Sequence, residues 1–358
     1  MPTFVLGCLL IVALLSQRHN RTASRLLAVV ITCVLYRQLI LAWQISGELA
    51  AHPYLFRSTF MTSLLAVALF YLYVLAMTTP DFRLTRKHLW HLLPAGFGLC
   101  WQLAFLLFAG PEYFELGSAF FGERYLRLIL RDLIEIPYLI ATLHQLWGFE
   151  ARMKNFVSDD SKIRVHWLRL LATAELTLFT VDAADVITGP TRPLLSVVPP
   201  VSSLIILAIG FFSLRYSAAF SQELELERVE GENKGEHLSD AEVTNLTTRL
   251  LDYLEKEQPY LRPDLRLLDL SQALSLKPYL VSETIKRGLQ TNFYDLVNTR
   301  RVETAKRLIA DPAYAHLNLM GIGLESGFNS KSVFNSVFKK QTNMTPSEYR
   351  ATTNESGS

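Results

Sequence analysis

The residues whose types and spacing indicate a particular chemistry most clearly lie near the C-terminus, in the stretch Ile322–Arg350. The pattern predicts a helix, a tight turn, and a second helix in which Phe334, Val337 and Phe338 recur at helical spacing and form a buried stripe. The opposite face of this second helix would then be polar and basic. Short polar side chains interleaved with lysines suit the base edges and phosphates of a DNA major groove. The residues predicted to make these contacts are Asn329, Lys331, Ser332, Asn335, Ser336 and Lys339.

The turn and capping residues at the two ends of this helix agree with the prediction. Gly327 stands at the turn, where a residue without Cβ can adopt positive φ. Ser330 is a good N-cap. Asn343 can end the helix in the left-handed region, and Pro346 is expected to prevent it from restarting soon afterwards.

A second, similar arrangement precedes it. Pro278 suits the first position of a helix in which Val281, Ile285 and Leu289 would face inward. Ser275 occupies the turn before that helix. The residues predicted to face outward and contact DNA here are Tyr279, Ser282, Glu283, Lys286 and Arg287.

A long helix is predicted between the two arrangements, over Asn292–Asp311. About 19 residues at 1.5 Å each give roughly 28 Å, which approaches one turn of B-DNA at about 34 Å. Two recognition helices could therefore reach successive major grooves on one face of a duplex. Basic residues expected along the connecting helix are Arg300, Arg301, Lys306 and Arg307.

The C-terminal stretch resembles the second helix-turn-helix of AraC/XylS-type transcription regulators. The residues that carry the resemblance are Gly327, Phe328, Ser332, Phe334, Phe338, Lys339, Lys340, Met344, Thr345, Pro346, Tyr349 and Arg350. The resemblance extends over about Asp240–Arg350 and implies a DNA-binding domain with two helix-turn-helix elements. Asn343 stands where the family usually has glycine, and Ser336 stands where a DNA-contacting arginine is common.

The first 215 residues have a different composition. The whole chain is 50% hydrophobic with a mean hydropathy of +0.21, and the apolar residues crowd into this part. Long apolar runs predict about seven membrane spans, because a bilayer core needs roughly 20 helical residues. The predicted spans are Thr3–Leu15, Leu26–Ser46, Tyr54–Met77, Leu89–Phe108, Arg127–Trp147, Trp167–Ile187 and Leu194–Phe212. The first run is not a typical signal peptide, since its basic residues follow the apolar stretch.

Loop charge predicts the orientation of these spans. The basic loops, which the positive-inside rule assigns to the cytoplasm, alternate with loops richer in acidic residues. This places the N-terminus outside and the C-terminal domain in the cytoplasm of a bacterial cell. The residues that form the basic loops are Arg18, Arg21, Arg25, Arg83, Arg86, Lys87, Arg152, Lys154, Lys162 and Arg164.

Ionisable residues inside the predicted spans suggest a second kind of site, because each is costly there unless it is paired or hydrated. They could form interhelical ion pairs that fix the packing. Alternatively they could line a polar cavity that opens outward and binds a small cationic or polar ligand. The candidate residues are Arg57, Arg131, Asp132, Glu135, Asp182 and Asp185.

The sequence gives no sign of other chemistry. Cys8, Cys33 and Cys100 lie in apolar runs without metal-ligand spacing, so we expect no metal site. We recognise no nucleophilic triad or phosphate-binding loop, and predict neither enzymatic activity nor a cofactor.

Together these patterns predict an all-α chain: a polytopic transmembrane helical bundle followed by a cytoplasmic AraC-like domain with two helix-turn-helix elements. The expected parts are a membrane domain at 1–215, a linker at 216–238, the DNA-binding domain at 239–350 and a disordered tail at 351–358. The predicted function is a membrane-bound, sequence-specific transcription regulator that couples a sensed signal to promoter DNA. Further partners considered are the lipid bilayer, a second copy of the chain and RNA polymerase. Two alternatives stay open: a membrane domain that only tethers, and a transporter-like domain fused to a DNA-binding module.

Overall fold

The computed structural model describes residues 2–17, 20–47, 53–108, 117–158, 169–170, 172–173, 201, 204–205, 207–215 and 238–356. The chain divides into two compact units. The first comprises Met1–Gly148 with Val165–Leu224, and the second comprises Phe149–Arg164 with Glu225–Ser358. Every regular element among the described residues is helical, apart from one isolated β-bridge between Val157 and Arg266.

Among its described residues, the first unit contains four long helices and most of a fifth. They are α1 (Pro2–Ser16), α2 (Arg21–Ser46), α3 (Pro53–Thr78), α4 (Leu93–Phe108) and α5 (Gly117–Met153), and a 3₁₀ helix at Arg86–Leu92 precedes α4. Helices α1 to α4 pack consecutively along the chain, and residues 207–215 are also helical. The last predicted spans, Trp167–Ile187 and Leu194–Phe212, lie largely outside the described residues.

Two of these helices are long and apolar enough to cross a bilayer, within the described part of the chain. They are Arg21–Trp43 and Ser58–Thr78, with mean hydropathies of 2.0 and 2.1. Since 72% of the apolar window of the second is buried, a core helix of a soluble protein would meet the same criterion. The seven-span bundle therefore stays a prediction.

The second unit contains seven further α-helices among its described residues. They are α6 (Asp240–Glu257), α7 (Leu267–Leu274), α8 (Pro278–Glu283), α9 (Phe293–Ala310), α10 (Leu319–Glu325), α11 (Lys331–Thr342) and α12 (Pro346–Ser356). A π-helical turn at Thr284–Gly288 extends α8. Short 3₁₀ helices at Pro259–Leu261 and Pro312–Tyr314 follow α6 and α9.

Local side-chain caps explain where several of these helices begin. Ser239 and Glu242 form a capping box in which each side chain bonds the other's backbone N–H. The Ser239 hydroxyl and the Ser239 N–H both donate to the Glu242 carboxylate, which lowers the pKa of that carboxyl. Asn292 caps α9 by accepting from the Asp295 N–H at 2.8 Å, and Asn318 does the same for Gly321 at the start of α10.

The C-terminus departs from the sequence prediction. Pro346 does not prevent a new helix but occupies the first position of α12, where its missing N–H costs nothing. Thr345 and Glu348 form a capping box around it, with the Glu348 carboxylate accepting from the Thr345 N–H at 2.7 Å. The expected disordered tail at 351–358 is therefore helical as far as Ser356.

One segment of the second unit comes from far upstream in the chain. Helix α5 ends at Met153, and residues 149–158 belong to the second unit. Phe156 and Ser158 are each only 1% exposed. The sequence predicts only a basic loop between two membrane spans here, so this burial is not expected from it.

Candidate nucleic-acid interface

The second helix-turn-helix has the geometry that its sequence predicts. Gly327 adopts φ +89° at the turn between α10 and α11. Ser330 caps α11 by accepting from the Val333 N–H at 3.3 Å. Asn343 ends the helix in the left-handed region at φ 60°. These three predictions are confirmed: Gly327 and Ser330 fix how α11 leaves the turn, and Asn343 fixes where it ends.

An aromatic core holds α11 against the rest of the domain. Phe334 and Phe338, the predicted stripe residues, are buried and their rings lie 5.7 Å apart. Phe328 packs on Phe334 at 5.2 Å, and Tyr349 of α12 packs on Phe338 at 5.4 Å. Val337 is also buried, as predicted. This core leaves α11 only one open face.

The open face of α11 carries the residues that were predicted to contact DNA. The structure places all of them at the surface: Asn329, Lys331, Ser332, Asn335, Ser336 and Lys339. The two lysines flank a polar strip of serines and asparagine on a helix that is rigidly packed from behind. Such a surface can supply charged donors to phosphates and neutral donors and acceptors to base edges.

The first helix-turn-helix agrees less well with its prediction. Tyr279 and Ser282 were expected to face outward but are buried, at 5% and 3% exposure. The reason is that α8 is enclosed over a wide arc, because Val281 and Ile285 are buried beside them. The π-helical turn that follows shifts the register of the later side chains, as π turns do.

The outward surface of this first element is reduced to three of the five predicted residues. Glu283 is half-buried, whereas Lys286 and Arg287 are exposed. Arg287 donates to Glu283 at 2.8 Å and to Asp240 at 2.6 Å, and it also donates to the Leu238 carbonyl. The hydrogen bonds to Glu283 and Asp240 raise the pKa of the Arg287 guanidinium. The Arg287 guanidinium is thus hydrogen-bonded to residues at the start of α6.

Helix α9 connects the two elements over 18 residues, or about 27 Å. Of the basic residues expected on its surface, Arg301 is instead completely buried. Its Nε donates to the Tyr260 carbonyl at 2.8 Å and its Nη2 to the Arg262 carbonyl at 2.7 Å. Arg301 therefore ties α9 to the loop before the first helix-turn-helix, and it does not face solvent.

The predicted ligand site in the first unit is described only in part. Arg131 lies 3.0 Å from Asp132 and 3.7 Å from Glu135 on the same helix, and Arg131 and Glu135 are buried. Asp182 and Asp185 lie outside the described residues, and the side chain of Arg57 is likewise not described. The described members are thus paired within α5, and the ligand cavity stays a prediction.

Comparison with known proteins supports the assignment of the C-terminal unit. Residues 270–352 match the family model of the helix-turn-helix domain. The C-terminal part of the chain is an AraC-type helix-turn-helix domain. The match begins inside α7 and ends inside α12, so it takes in both helix-turn-helix elements and the connecting α9.

Two kinds of relative each match about a quarter of this chain. An HTH-type transcriptional regulator of Staphylococcus aureus strain COL is 31% identical over 102 residues, which are 28% of this chain and 13% of the relative. The regulatory protein PocR of Salmonella typhimurium strain LT2 is 31% identical over 96 residues, which are 27% of this chain and 31% of PocR. The chain thus matches less than a third of either relative. No solved structure matches it.

Sequence reasoning missed two features of this interface. The burial of Arg301 has no signature in the helical pattern, because a basic residue on an amphipathic helix is usually solvated. The docking of residues 149–158 had no local signal either, since it depends on contacts across more than 100 positions. Both features depend on hydrogen bonds to backbone carbonyls, which occur at every position and therefore give no signal in the sequence.

Proposed function

We propose that this protein is a membrane-bound regulator of transcription that binds specific promoter sites through its C-terminal domain. The observation that carries the proposal is the open face of α11, with Lys331 and Lys339 on either side of a strip of short polar residues. The aromatic core behind it holds this face in one orientation. The helix-turn-helix family match and the regulators among the relatives support the DNA-binding and regulatory part of this proposal.

On DNA, α11 would act as the principal reading helix. Lys331 and Lys339 would contact phosphates and contribute affinity that depends on salt. Asn335 can bond an adenine through two hydrogen bonds, and Ser332 and Ser336 can contact neighbouring base edges. These individual contacts are proposals that rest on exposure and residue type.

The first helix-turn-helix would contribute a smaller second contact. Its exposed Lys286 lies beside the Glu283–Arg287 pair, so the net charge of this surface is low. The 27 Å length of α9 suits two elements placed in neighbouring major grooves, which lie about 34 Å apart. We therefore propose a binding site of two half-sites about ten base pairs apart, read mainly through the half contacted by α11.

The chain's apolar surface supports attachment to a membrane. Among the described residues, the exposed large hydrophobic side chains lie before residue 216, except for Leu324 and Met344. Exposed residues such as Val12 and Leu107, at 62% and 77%, would be unfavourable in water and suit a lipid environment. Together with α2 and α3, they favour insertion of the N-terminal part in the inner membrane of a bacterium. We further propose that this N-terminal part senses a signal by binding a small cationic or polar ligand. The alternatives are that it only tethers the protein to the membrane, or that it is a transporter-like domain.

The orientation of the chain can be tested directly. The alternation of basic loops predicts that a reporter fused after Arg350 lies in the cytoplasm. We expect alkaline phosphatase at this position to be inactive and a fluorescent protein that folds in the cytoplasm to be bright. High phosphatase activity with a dark fluorescent fusion would contradict the proposed location.

DNA reading can be tested with matched variants of the full-length protein in lipid nanodiscs. Selection from a random pool of duplexes would first define the preferred operator. Lys331→Ala with Lys339→Ala should then weaken binding to all duplexes alike, and should lower the slope of log affinity against log salt by about 2. Asn335→Ala should keep the salt slope and lose roughly 10-fold in discrimination at one base pair.

Lys256→Ala provides the control for charge. It removes a lysine that is 75% exposed in the last turn of α6 and is not among the residues proposed to contact DNA, so it should leave both properties unchanged. If Lys256→Ala weakened binding as much as the α11 lysine variants did, the affinity would come from general positive charge. The role proposed for α11 would then be wrong.

A further inference from the structure

The segment Lys154–Ser158, hereafter the docking segment, follows α5 and packs inside the DNA-binding unit. Its Phe156 carbonyl accepts from the Leu267 N–H at 3.1 Å, and its Lys154 carbonyl accepts from the Tyr294 N–H at 2.9 Å. Leu267 and Tyr294 lie in the first turns of α7 and α9, where N–H groups have no partner within their own helix. The docking segment therefore caps two helices of this domain at once.

Side chains reinforce these backbone contacts. The Ser158 hydroxyl donates to the Leu265 carbonyl at 2.7 Å and accepts from Arg301 Nη2 at 3.3 Å. The Asn298 amide donates to the Ser158 carbonyl at 3.1 Å. Ser158, Asn298 and Arg301 are all buried, so water cannot readily replace these bonds. Phe156 adds a fully buried aromatic ring.

These contacts join the first helix-turn-helix to the connecting helix. Leu265 and Leu267 belong to the entry of α7, whereas Asn298 and Arg301 lie on α9. The second helix-turn-helix has its own core of Phe328, Phe334 and Phe338, which the docking segment does not supply. The docking segment is therefore placed to fix the position of the first element without forming the second.

We propose that the docking segment controls the spacing of the two recognition elements, so that the chain leading from α5 governs binding of a two-groove operator. This inference rests on the proposed function, since it concerns regulation of the same DNA site. When the segment is docked, α7 and α8 are held on α9 and both half-sites are read. When it is released, the first element loses its position while α11 still binds its own half-site.

The covalent connection between α5 and the docking segment is suited to transmit a movement of α5. Helix α5 is continuous from Gly117 to Met153 and leads into the docking segment without an intervening loop. A movement of α5 along or about its axis is therefore passed directly to Lys154–Ser158. The predicted linker at 216–238, apart from Leu238, lies outside the described residues.

A reversible disulfide allows a test in the full-length protein. Val157 and Arg266 face each other in an antiparallel bridge, bounded by the Leu267 N–H bond to the Phe156 carbonyl. This is a non-hydrogen-bonded pair, in which Cα atoms lie about 4.5 Å apart and a disulfide is feasible. Val157→Cys with Arg266→Cys should lock the segment in place once Cys8, Cys33 and Cys100 are replaced by alanine.

The releasing variant is Phe156→Ala with Ser158→Ala. In this variant we expect affinity for the two-groove operator to fall at least 10-fold, while affinity for a duplex that carries only the α11 half-site stays within twofold. Adding the cysteine pair and oxidising it should restore binding to the full operator, and reduction should abolish the recovery. A footprint should show protection lost only over the first element's groove.

Three other outcomes are distinguishable. Unchanged binding to both duplexes would show that the segment has no control over spacing. Loss of both half-sites, with lost amide protection in α11, would show that the segment is a general part of the fold; either result overturns the inference. Should the wild-type protein prefer no duplex at all, the proposed function itself would fail, and this inference with it.

Discussion

Replacing Gly327 by alanine is expected to destabilise the second helix-turn-helix by about 3 kcal/mol, which combines the cost of positive φ with that of overpacking. Gly327 has φ +89°, which disfavours any residue with a Cβ. An added Cβ would also lie 2.4 Å from the Tyr260 carbonyl oxygen and 2.9 Å from the Leu261 Cα. These are backbone atoms, which cannot rotate away as a flexible side chain would.

The measurement is amide hydrogen exchange in the full-length protein, followed over α10 and α11. Gly327→Ala should accelerate exchange of the most protected α11 amides roughly 100-fold, as a loss of that size implies. The matched control is Gly321→Ala in α10, where the nearest atom to an added Cβ is 3.5 Å away. That variant should show equal or slower exchange, because alanine favours the helix. Equal protection in Gly327→Ala and the wild type would contradict the geometry of this turn.

Replacing Arg301 by methionine is expected to have a comparable effect on the first half of the domain. Arg301 is completely buried, and its guanidinium bonds the carbonyls of Tyr260 and Arg262. Methionine has a similar length but no donor, so two carbonyls would lose their partner. An unsatisfied buried group costs about 1–3 kcal/mol; since the bond to Tyr260 is buried and that to Arg262 is partly buried, we expect a loss of about 3 kcal/mol in total.

Arg301→Lys distinguishes the hydrogen-bonding geometry from the charge. Lysine keeps the charge but lacks the planar fork that reaches two carbonyls, so it should recover less than half of the lost stability. Hydrogen exchange of α7 and α9 amides would measure both variants. Arg300→Met is the surface control, since this neighbouring arginine is only partly buried and pairs with Glu303 at the surface. If Arg301→Met were no more destabilised than Arg300→Met, the buried role of Arg301 would be refuted.

The features of this structure that a sequence can predict are those set by short-range conformational preferences. Gly327, Ser330 and Asn343 were predictable because each acts within a few positions through a local conformational preference. The α11 stripe of Phe334, Val337 and Phe338 follows from helical periodicity alone. These local rules place the open face of α11, and for that reason the residues predicted on it are all exposed; that they contact DNA stays a prediction.

The failures arise where tertiary contacts override a local pattern. Tyr279 and Ser282 looked like surface residues because one helical period was assumed throughout, whereas α8 is enclosed broadly and continues as a π turn. Pro346 looked like a stop signal, but the capping box of Thr345 and Glu348 makes it a helix start. In both cases the neighbouring residues, and not the local pattern alone, decide which structure forms.

The docking segment illustrates a different limit. Its contacts are made mainly by main-chain carbonyls of Lys154, Phe156 and Ser158, and any sequence presents such carbonyls at every position. The buried partners Asn298 and Arg301 are polar residues that the helical pattern assigns to a surface. Only the fold shows that these distant parts of the chain meet.

The central claim is that the C-terminal domain recognises a specific duplex. The most direct measurement is the affinity of purified full-length protein, in nanodiscs and at physiological salt, for its selected operator and for a shuffled duplex of equal length. We predict a preference of about 10³-fold or more for the operator, in the range of specific DNA-binding proteins. Equal affinity for the two duplexes would contradict the account.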